Sequence, residues 1–422
     1  LNFNGVFLSV YIPSGVRLEK QAEHMLEVVG LIVAFAVIFL LRARDVEFYA
    51  SIAVAAVIIG LTSGKPFTII FEVLLKTVSD PATWTLCAAV ALITVLGYAL
   101  KETGLMVRFV DALSGRLPSN VLLATIPALF GFLSMPGGAL MSAPFIDPEA
   151  NKLGLQPEHK TYYNVWFRHL LYWTNPISSS TIMAVTLAGY SVGEWLTVQF
   201  PLFFVMVAIG FTASRGFIKR KMADGEKSPL TFSNVKGVVP ILVSVALTIV
   251  GVDAWIGLSA GILLTLLLGK APPGKYVESF VKGVGWEVVL SVVSMLYLRD
   301  IILASGSVIS IFESILGSGV PLLAIIIVIP LLIGAISGSP AMGVGISFPL
   351  LLPLFGEPNI HLTSIIFLGL TCAYLASPIH LCLVLSNSYF KSDLNKVIRY
   401  LAPSSVALYV VGVLYHLALN AL

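Results

Sequence analysis

The chain has 422 residues, 57% of them hydrophobic and only 11% charged, with a net charge of +3. An ordinary soluble domain is about 25% charged, so this balance excludes a soluble globular class and predicts an all-α polytopic membrane protein. The slight positive charge sits in short loops and implies no nucleic-acid partner; Cys87, Cys372 and Cys382 fall in apolar segments, as packed free thiols do, which speaks against a disulfide framework or a metal site.

Residues 1–24 have mixed polarity and match nothing later in the chain. The first apolar run, Met25–Leu41, approaches the ~20 residues that cross a ~30 Å hydrocarbon core. No small-residue cleavage site follows it, so it reads as a retained span. Spans follow over 48–63 and 83–100, then an amphipathic stretch over 102–116. The run Leu122–Leu133 gives about 18 Å of helix and stops at Ser134-Met135-Pro136-Gly137-Gly138. That reaches only halfway across, so 119–147 is predicted to be a re-entrant hairpin; irregular backbone at that depth needs protein or a watery cavity to satisfy it. A long span over 160–190 is interrupted at Asn175-Pro176, and a last span covers 195–214. A basic linker, 215–236, comes next.

The pattern then starts again. Spans over 237–252, 254–270 and 284–304 precede a stretch at 305–319 and a second hairpin, 320–355, with Ser337-Gly338-Ser339-Pro340 at its tip. A span over 361–390, broken at Ser377-Pro378, and a last span over 400–421 complete it. Residue matches support the repetition: Glu72, Lys76 and Trp84 lie over Glu278, Lys282 and Trp286. Further on, Pro127, Gly131 and Ser134 lie over Pro330, Gly334 and Ser337, and Asn175-Pro176-Ile177 over Ser377-Pro378-Ile379. Internal repetition of this kind defines the architecture: two units, 25–214 and 237–422, with about ten spans and two hairpins in all.

If the hairpins do not cross, each unit crosses five times, and the second must be inverted relative to the first. With the 215–236 linker placed in the cytoplasm by the positive-inside rule, 19 of the 25 basic residues fall on that side. Both termini are then predicted outside, in a multi-pass protein of the cell membrane.

The element order, the paired hairpins and the paired broken helices resemble the ion transporter superfamily, which includes divalent-anion/sodium symporters and citrate, gluconate and arsenite permeases. The chain looks like one of its uncharacterised prokaryotic branches, over nearly its whole length from Met25. The resemblance implies a homodimer in which a mobile unit of hairpins and broken helices moves as an elevator against a fixed scaffold. In the sodium-coupled carboxylate branch the tips carry Ser-Asn-Thr. Ser134-Met135-Pro136 and Ser337-Gly338-Ser339 keep the serine but lose the Asn and Thr in the first tip and the Asn in the second, so Na+ and H+ both remain open as coupling ions.

Inverted repeats of this kind hold substrate and ions where their backbone breaks meet at the midplane, with half-helix N-termini facing anions and unwound carbonyls facing cations. The candidate site is therefore Ser134, Pro136, Gly137, Gly138, Thr174, Asn175, Ser178, Ser337, Gly338, Ser339, Ser377 and His380, with Na+ ligands drawn from Ser134, Asn175, Ser337 and Ser377. An ionisable residue within a span is costly and defaults to a functional role. Arg168 lies seven residues before Asn175 and shares its face in a continuous helix, where it could grip a carboxylate or oxyanion; it could equally snorkel to the surface. His169 and His380 could relay protons or simply pack. Arg299-Asp300 reads as a structural pair. No zinc-protease, Gly-x-Gly-Asp or Asp-rich prenyltransferase motif is present, so an enzyme is not expected. The reading is an ion-coupled transporter of a small anion needing no cofactor beyond that ion; a cation/proton exchanger or a channel on the same scaffold is the alternative.

Overall fold

In the computed structural model the apolar runs become nineteen α-helices, with no strand among the described residues. Those residues are 14–42, 44, 46–63, 66–113, 116–132, 138–218, 235–305, 319–337, 339–378 and 380–421; side chains are described except at 14–24, 39, 42, 66, 110, 111, 138 and 273. The first unit contributes α1 (Ser14–Arg42), α2 (Phe48–Thr62), α3 (Pro66–Ser79), α4 (Pro81–Glu102) and α5 (Leu105–Leu113). Its hairpin arms are α6 (Ser119–Phe132) and α7 (Gly138–Lys152); its broken helix is α8 (Pro157–Trp166), a 3-10 stretch Phe167–Trp173, and α9 (Ser179–Ala188); α10 (Val192–Ala213) closes it. The second unit runs α11 (Val239–Ile249), α12 (Ala254–Leu268), α13 (Pro273–Gly283) and α14 (Trp286–Ser305). Hairpin arms α15 (Leu322–Ser337) and α16 (Pro340–Leu351) follow, then the broken pair α17 (Ile360–Leu375) and α18 (Leu381–Phe390), and finally α19 (Leu394–Asn420). The linker 219–234 and the stretch 306–318 lie outside the described residues.

Among the described residues four helices, α4, α10, α14 and α19, are long and apolar enough to cross a bilayer alone, and ten shorter segments are apolar too. The chain is a helical membrane protein. The long helices begin where side chains satisfy their free N–H groups. Asp80 accepts from the Ala82 amide at 2.9 Å to start α4, Ser191 and Glu194 form a reciprocal box at α10, and Asp393 caps α19.

The helices pack in exchanged pairs. As α14 lies on α2, so α4 lies on α12; as α16 lies on α9, so α7 lies on α18. The equivalent helices α4 and α14 also touch, and their direction is fixed by two contacts. The Gly285 amide donates to Thr94 Oγ1 at 3.0 Å, and Cys87 Sγ donates to the Val289 carbonyl at 3.9 Å. Moving forward along α14 is moving backward along α4, so the two copies of this helix are antiparallel, as an inverted repeat requires.

Contacts between the units join segments that the charge pattern assigns to one side. Lys275 pairs with Glu102 at 3.2 Å, and Thr161 hydrogen-bonds Ser392 at 2.7 Å. At the other ends, Thr77 Oγ1 donates to Asp300 Oδ2 at 2.9 Å, and Asn359 donates to Asn420 at 2.7 Å. Asp300 Oδ1 also receives Arg299 at 2.7 Å, so this pair ties α14 to α3.

Two elements differ from the sequence reading. Residues 66–79 and 273–283, which fall between predicted spans and carry no predicted element, are the amphipathic helices α3 and α13. Their exposed faces carry Phe67, Phe71 and Leu75, and Val277, Phe280 and Val281, the apolar side of an interfacial helix. In α13 the hydrogen bonds of Lys275 and then Lys282 hold the Glu278 carboxyl below its ordinary range. The second difference is the 3-10 stretch Phe167–Trp173, which replaces the expected continuous helix. Pro176 obstructs the α-helical carbonyl four residues before it, and the chain tightens ahead of it, with the Thr174 amide on the Leu171 carbonyl at 3.1 Å.

Candidate substrate site

In each unit one glycine lets a hairpin arm lie directly on the broken helix. A Cβ at Gly131 would collide with the Arg168 carbonyl oxygen and sit 2.8 Å from its carbon. At Gly334, the matching position, a Cβ would collide with the Leu370 carbonyl oxygen and sit 2.9 Å from its carbon. The residue at each break then pins the same arm: Asn175 Nδ2 donates to the Phe132 carbonyl at 3.1 Å, and Ser377 Oγ to the Ala335 carbonyl at 2.6 Å. Hairpin and broken helix are thereby held as one body in each unit, by the same two devices.

Between these bodies and the helices α2, α4 and α14 lies a cavity of about 360 Å³. Ser178, Ser179 and Ser180 at the start of α9 line it, as do Ser339, Pro340 and Ala341 at the start of α16. Ser178 caps α9 by accepting from the Thr181 amide at 3.1 Å, and Ser339 caps α16 by accepting from the Met342 amide at 3.2 Å. Two helix N-termini, each with its partial positive charge, therefore open on one space. Arg168, His169, Tyr172, Tyr374 and Cys382 complete its inner wall; Glu47 and Glu287, both exposed, also line it.

Arg168 is 5% exposed. Its Nη1 has no hydrogen-bond partner, and no carboxylate pairs with its guanidinium among the described residues. A buried, unpaired guanidinium is expensive to hold. Facing a cavity with two helix N-termini, it supplies a planar donor fork for a carboxylate or oxyanion on the inner wall, while the acids Glu47 and Glu287 lie on exposed positions of the same space.

Of the residues singled out by sequence, Arg168, Ser178 and Ser339 line the cavity. Ser337, Asn175, Ser377 and His380 are buried nearby but are not part of its lining. Asn175 and Ser377 act as the pins described above, and Ser337 Oγ donates to the Ser339 carbonyl at 3.1 Å inside the second tip. Thr174 ends the 3-10 stretch, and Gly138 opens α7. Ser134, Pro136, Gly137 and Gly338 lie outside the described residues. The common face expected for Arg168 and Asn175 does not form. At the ~120° per residue of a 3-10 helix, seven steps leave two residues about a third of a turn apart, and only Arg168 reaches the cavity. Sequence reasoning missed Tyr172, Tyr374, Cys382 and Ser291. The tyrosines carried a usable signal, since both stand three residues before the break at Asn175 and Ser377.

The sequence model of a family described as "Protein of unknown function (DUF401)" matches residues 27–418. No curated protein matches the chain. Among solved structures, the fold is similar to that of the YdaH transporter of Alcanivorax borkumensis, described as having an unusual topology, with a TM-score of 0.61 and 14% identity over 84% of this chain and 89% of that one.

Proposed function

We propose that this chain, which belongs to the DUF401 family, is a secondary active transporter of a small anion, an organic carboxylate or an oxyanion. The observation that carries the reading is Arg168, buried and unpaired on a cavity that two helix N-termini also face. A volume of about 360 Å³ suits a small ligand, at the lower end of the usual range for binding pockets. The inverted repeat supplies alternating access: each hairpin is locked to its broken helix, so the two bodies can travel together past α4 and α14. This elevator movement, a homodimeric scaffold and placement in the ion transporter superfamily belong to the same proposal. So do coupling to Na+ or H+ and a cytoplasmic 215–236 linker with both termini outside. The likeness to a known transporter favours a carrier over an enzyme. Against a cation/proton exchanger stands the position of the acids: among the described residues none is at the breaks, and Glu47 and Glu287, which line the cavity, are exposed.

The test is uptake by the purified protein in liposomes. Labelled di- and monocarboxylates and oxyanions are offered under an imposed Na+ gradient, an imposed pH gradient, or neither. Saturable uptake of an anion that collapses when one gradient is dissipated is expected. Single-channel currents in place of saturable flux, or exchange of cations without any anion uptake, would reject the reading.

A further inference from the structure

We infer that His169, His380 and Cys382 form a binding site for one metal ion of the zinc class, open to the substrate cavity. His169 lies in the 3-10 stretch, His380 is the residue that precedes α18, and Cys382 is in the first turn of that helix. The three meet only because the second broken helix packs beside the first. One ligand atom from each lies within 4.8 Å of the other two.

The hydrogen bonds around the imidazoles leave the right atoms free. His169 Nδ1 faces the Val165 carbonyl at 2.6 Å, and His380 Nδ1 faces the Leu375 carbonyl at 3.4 Å. A carbonyl only accepts, so Nδ1 carries the proton in both rings and each Nε2 keeps a lone pair. That is the arrangement by which metal-bound histidines are usually oriented. His380 is fully buried, yet its Nε2 has no hydrogen-bond partner. Ring packing against Tyr374, at a centroid distance of 3.9 Å, accounts for the imidazole plane but not for this atom.

The donor set decides the ion. Two neutral imidazoles and a thiol favour Zn²⁺ or a similar thiophilic ion, while Na+, Mg²⁺ and Ca²⁺ prefer oxygen. Zn–N bonds of ~2.0–2.1 Å and Zn–S bonds of ~2.3 Å place tetrahedral ligands about 3.5 Å apart. The longest separation must therefore shrink by roughly an ångström, within reach of small side-chain rotations. As the metal–sulfur bond forms, the Cys382 thiol gives its proton to solvent, one proton per ion. Three protein ligands leave a fourth position free, and both His169 and Cys382 line the cavity, so that position opens toward the space beside Arg168. The cluster stands on its own geometry and does not depend on anion transport.

The experiment uses the purified full-length chain, stripped with a chelator and equilibrated with Zn²⁺ in excess Na+, with bound metal counted by mass spectrometry. Co²⁺ then replaces Zn²⁺ to report sulfur ligation through its thiolate charge-transfer band. One ion per chain and a clear band are expected. Cys382→Ser should abolish the band and weaken Zn²⁺ binding at least about tenfold, His380→Gln should weaken it similarly, and Cys87→Ser should change neither. Should Cys382→Ser fold poorly, Zn²⁺ must instead slow maleimide labelling of Cys382 in the unaltered protein. Substoichiometric metal, a band that survives Cys382→Ser, or labelling indifferent to Zn²⁺ overturns the site. Liposome uptake reads the transport proposal separately, so either can fail alone.

Discussion

Replacing Arg168 by methionine separates a binding role from a structural one, because the two predict opposite signs for the stability of the empty protein. The guanidinium is 5% exposed, with Nη1 unpartnered, and a centrally placed arginine costs ~2.5–3.5 kcal/mol on insertion scales. Methionine is close in length and removes that cost, so the ligand-free Arg168→Met protein should unfold no earlier than the unaltered one. Anion binding should suffer heavily. Charge-assisted hydrogen bonds contribute about 1.5–3 kcal/mol, which corresponds to a loss of about 10- to 150-fold in affinity. Thermal unfolding in detergent, with and without the anion identified by uptake, reads both quantities: the variant should match or exceed the parent when empty and lose the ligand-induced increment. A variant that melts several degrees lower when empty, yet keeps the increment, would show that Arg168 braces the fold and does not bind the anion.

Further predictions concern the shared devices. Gly131→Ala and Gly334→Ala each drive a methyl into a backbone carbonyl. Both should destabilise by about 1–3 kcal/mol or more, and a thermal midpoint unchanged in either would refute the close approach. Asn175→Ala and Ser377→Ala strand the Phe132 and Ala335 carbonyls; each should cost about 1–3 kcal/mol and slow uptake, and full stability with full uptake in both would remove the pins from the account. Single cysteines introduced at Lys275 and Lys152 should react with impermeant reagents from one side of the membrane, and those at Asp80 and Glu357 from the other. Opposite reactivity at Lys275 and Lys152 would break the inverted arrangement.

The frame of this fold was legible in the sequence because bilayer physics writes it in large letters. Apolar runs mark spans, and Gly and Pro inside them mark hairpin tips and breaks. The helices α3 and α13 escaped because they are short and half polar. Even so, the Glu72/Lys76 and Glu278/Lys282 matches carry the four-residue spacing that such helices favour, and Lys282 does pair with Glu278 at 3.0 Å. Arg168 was legible as a charge where none is cheap. Its direction was not, because it depends on the tightened turn ahead of Pro176. The meeting of Cys382 with His169 was illegible for a different reason: it is set by packing between two units more than two hundred residues apart in the chain.

What the two units share and what they do not divides structure from chemistry. Positions alike in both copies do mechanical work: Gly131 and Gly334 admit the hairpins, and Asn175 and Ser377 pin them. Tyr172 and Tyr374 face the same cavity from equivalent places. Among the many positions that differ are those with charge or ligand capacity. Arg168 stands opposite Leu370, Ser178 opposite His380, and Ser180 opposite Cys382 in the alignment of the breaks. Leu370 is buried, so an arginine there would be a buried charge with no partner built for it. Leu370→Arg should therefore lower the stability of the empty protein. Thermal unfolding of that variant, compared with Leu370→Gln to control for size and polarity, checks the argument. Equal stability of the two would show that the second unit tolerates the charge and that the asymmetry has another origin.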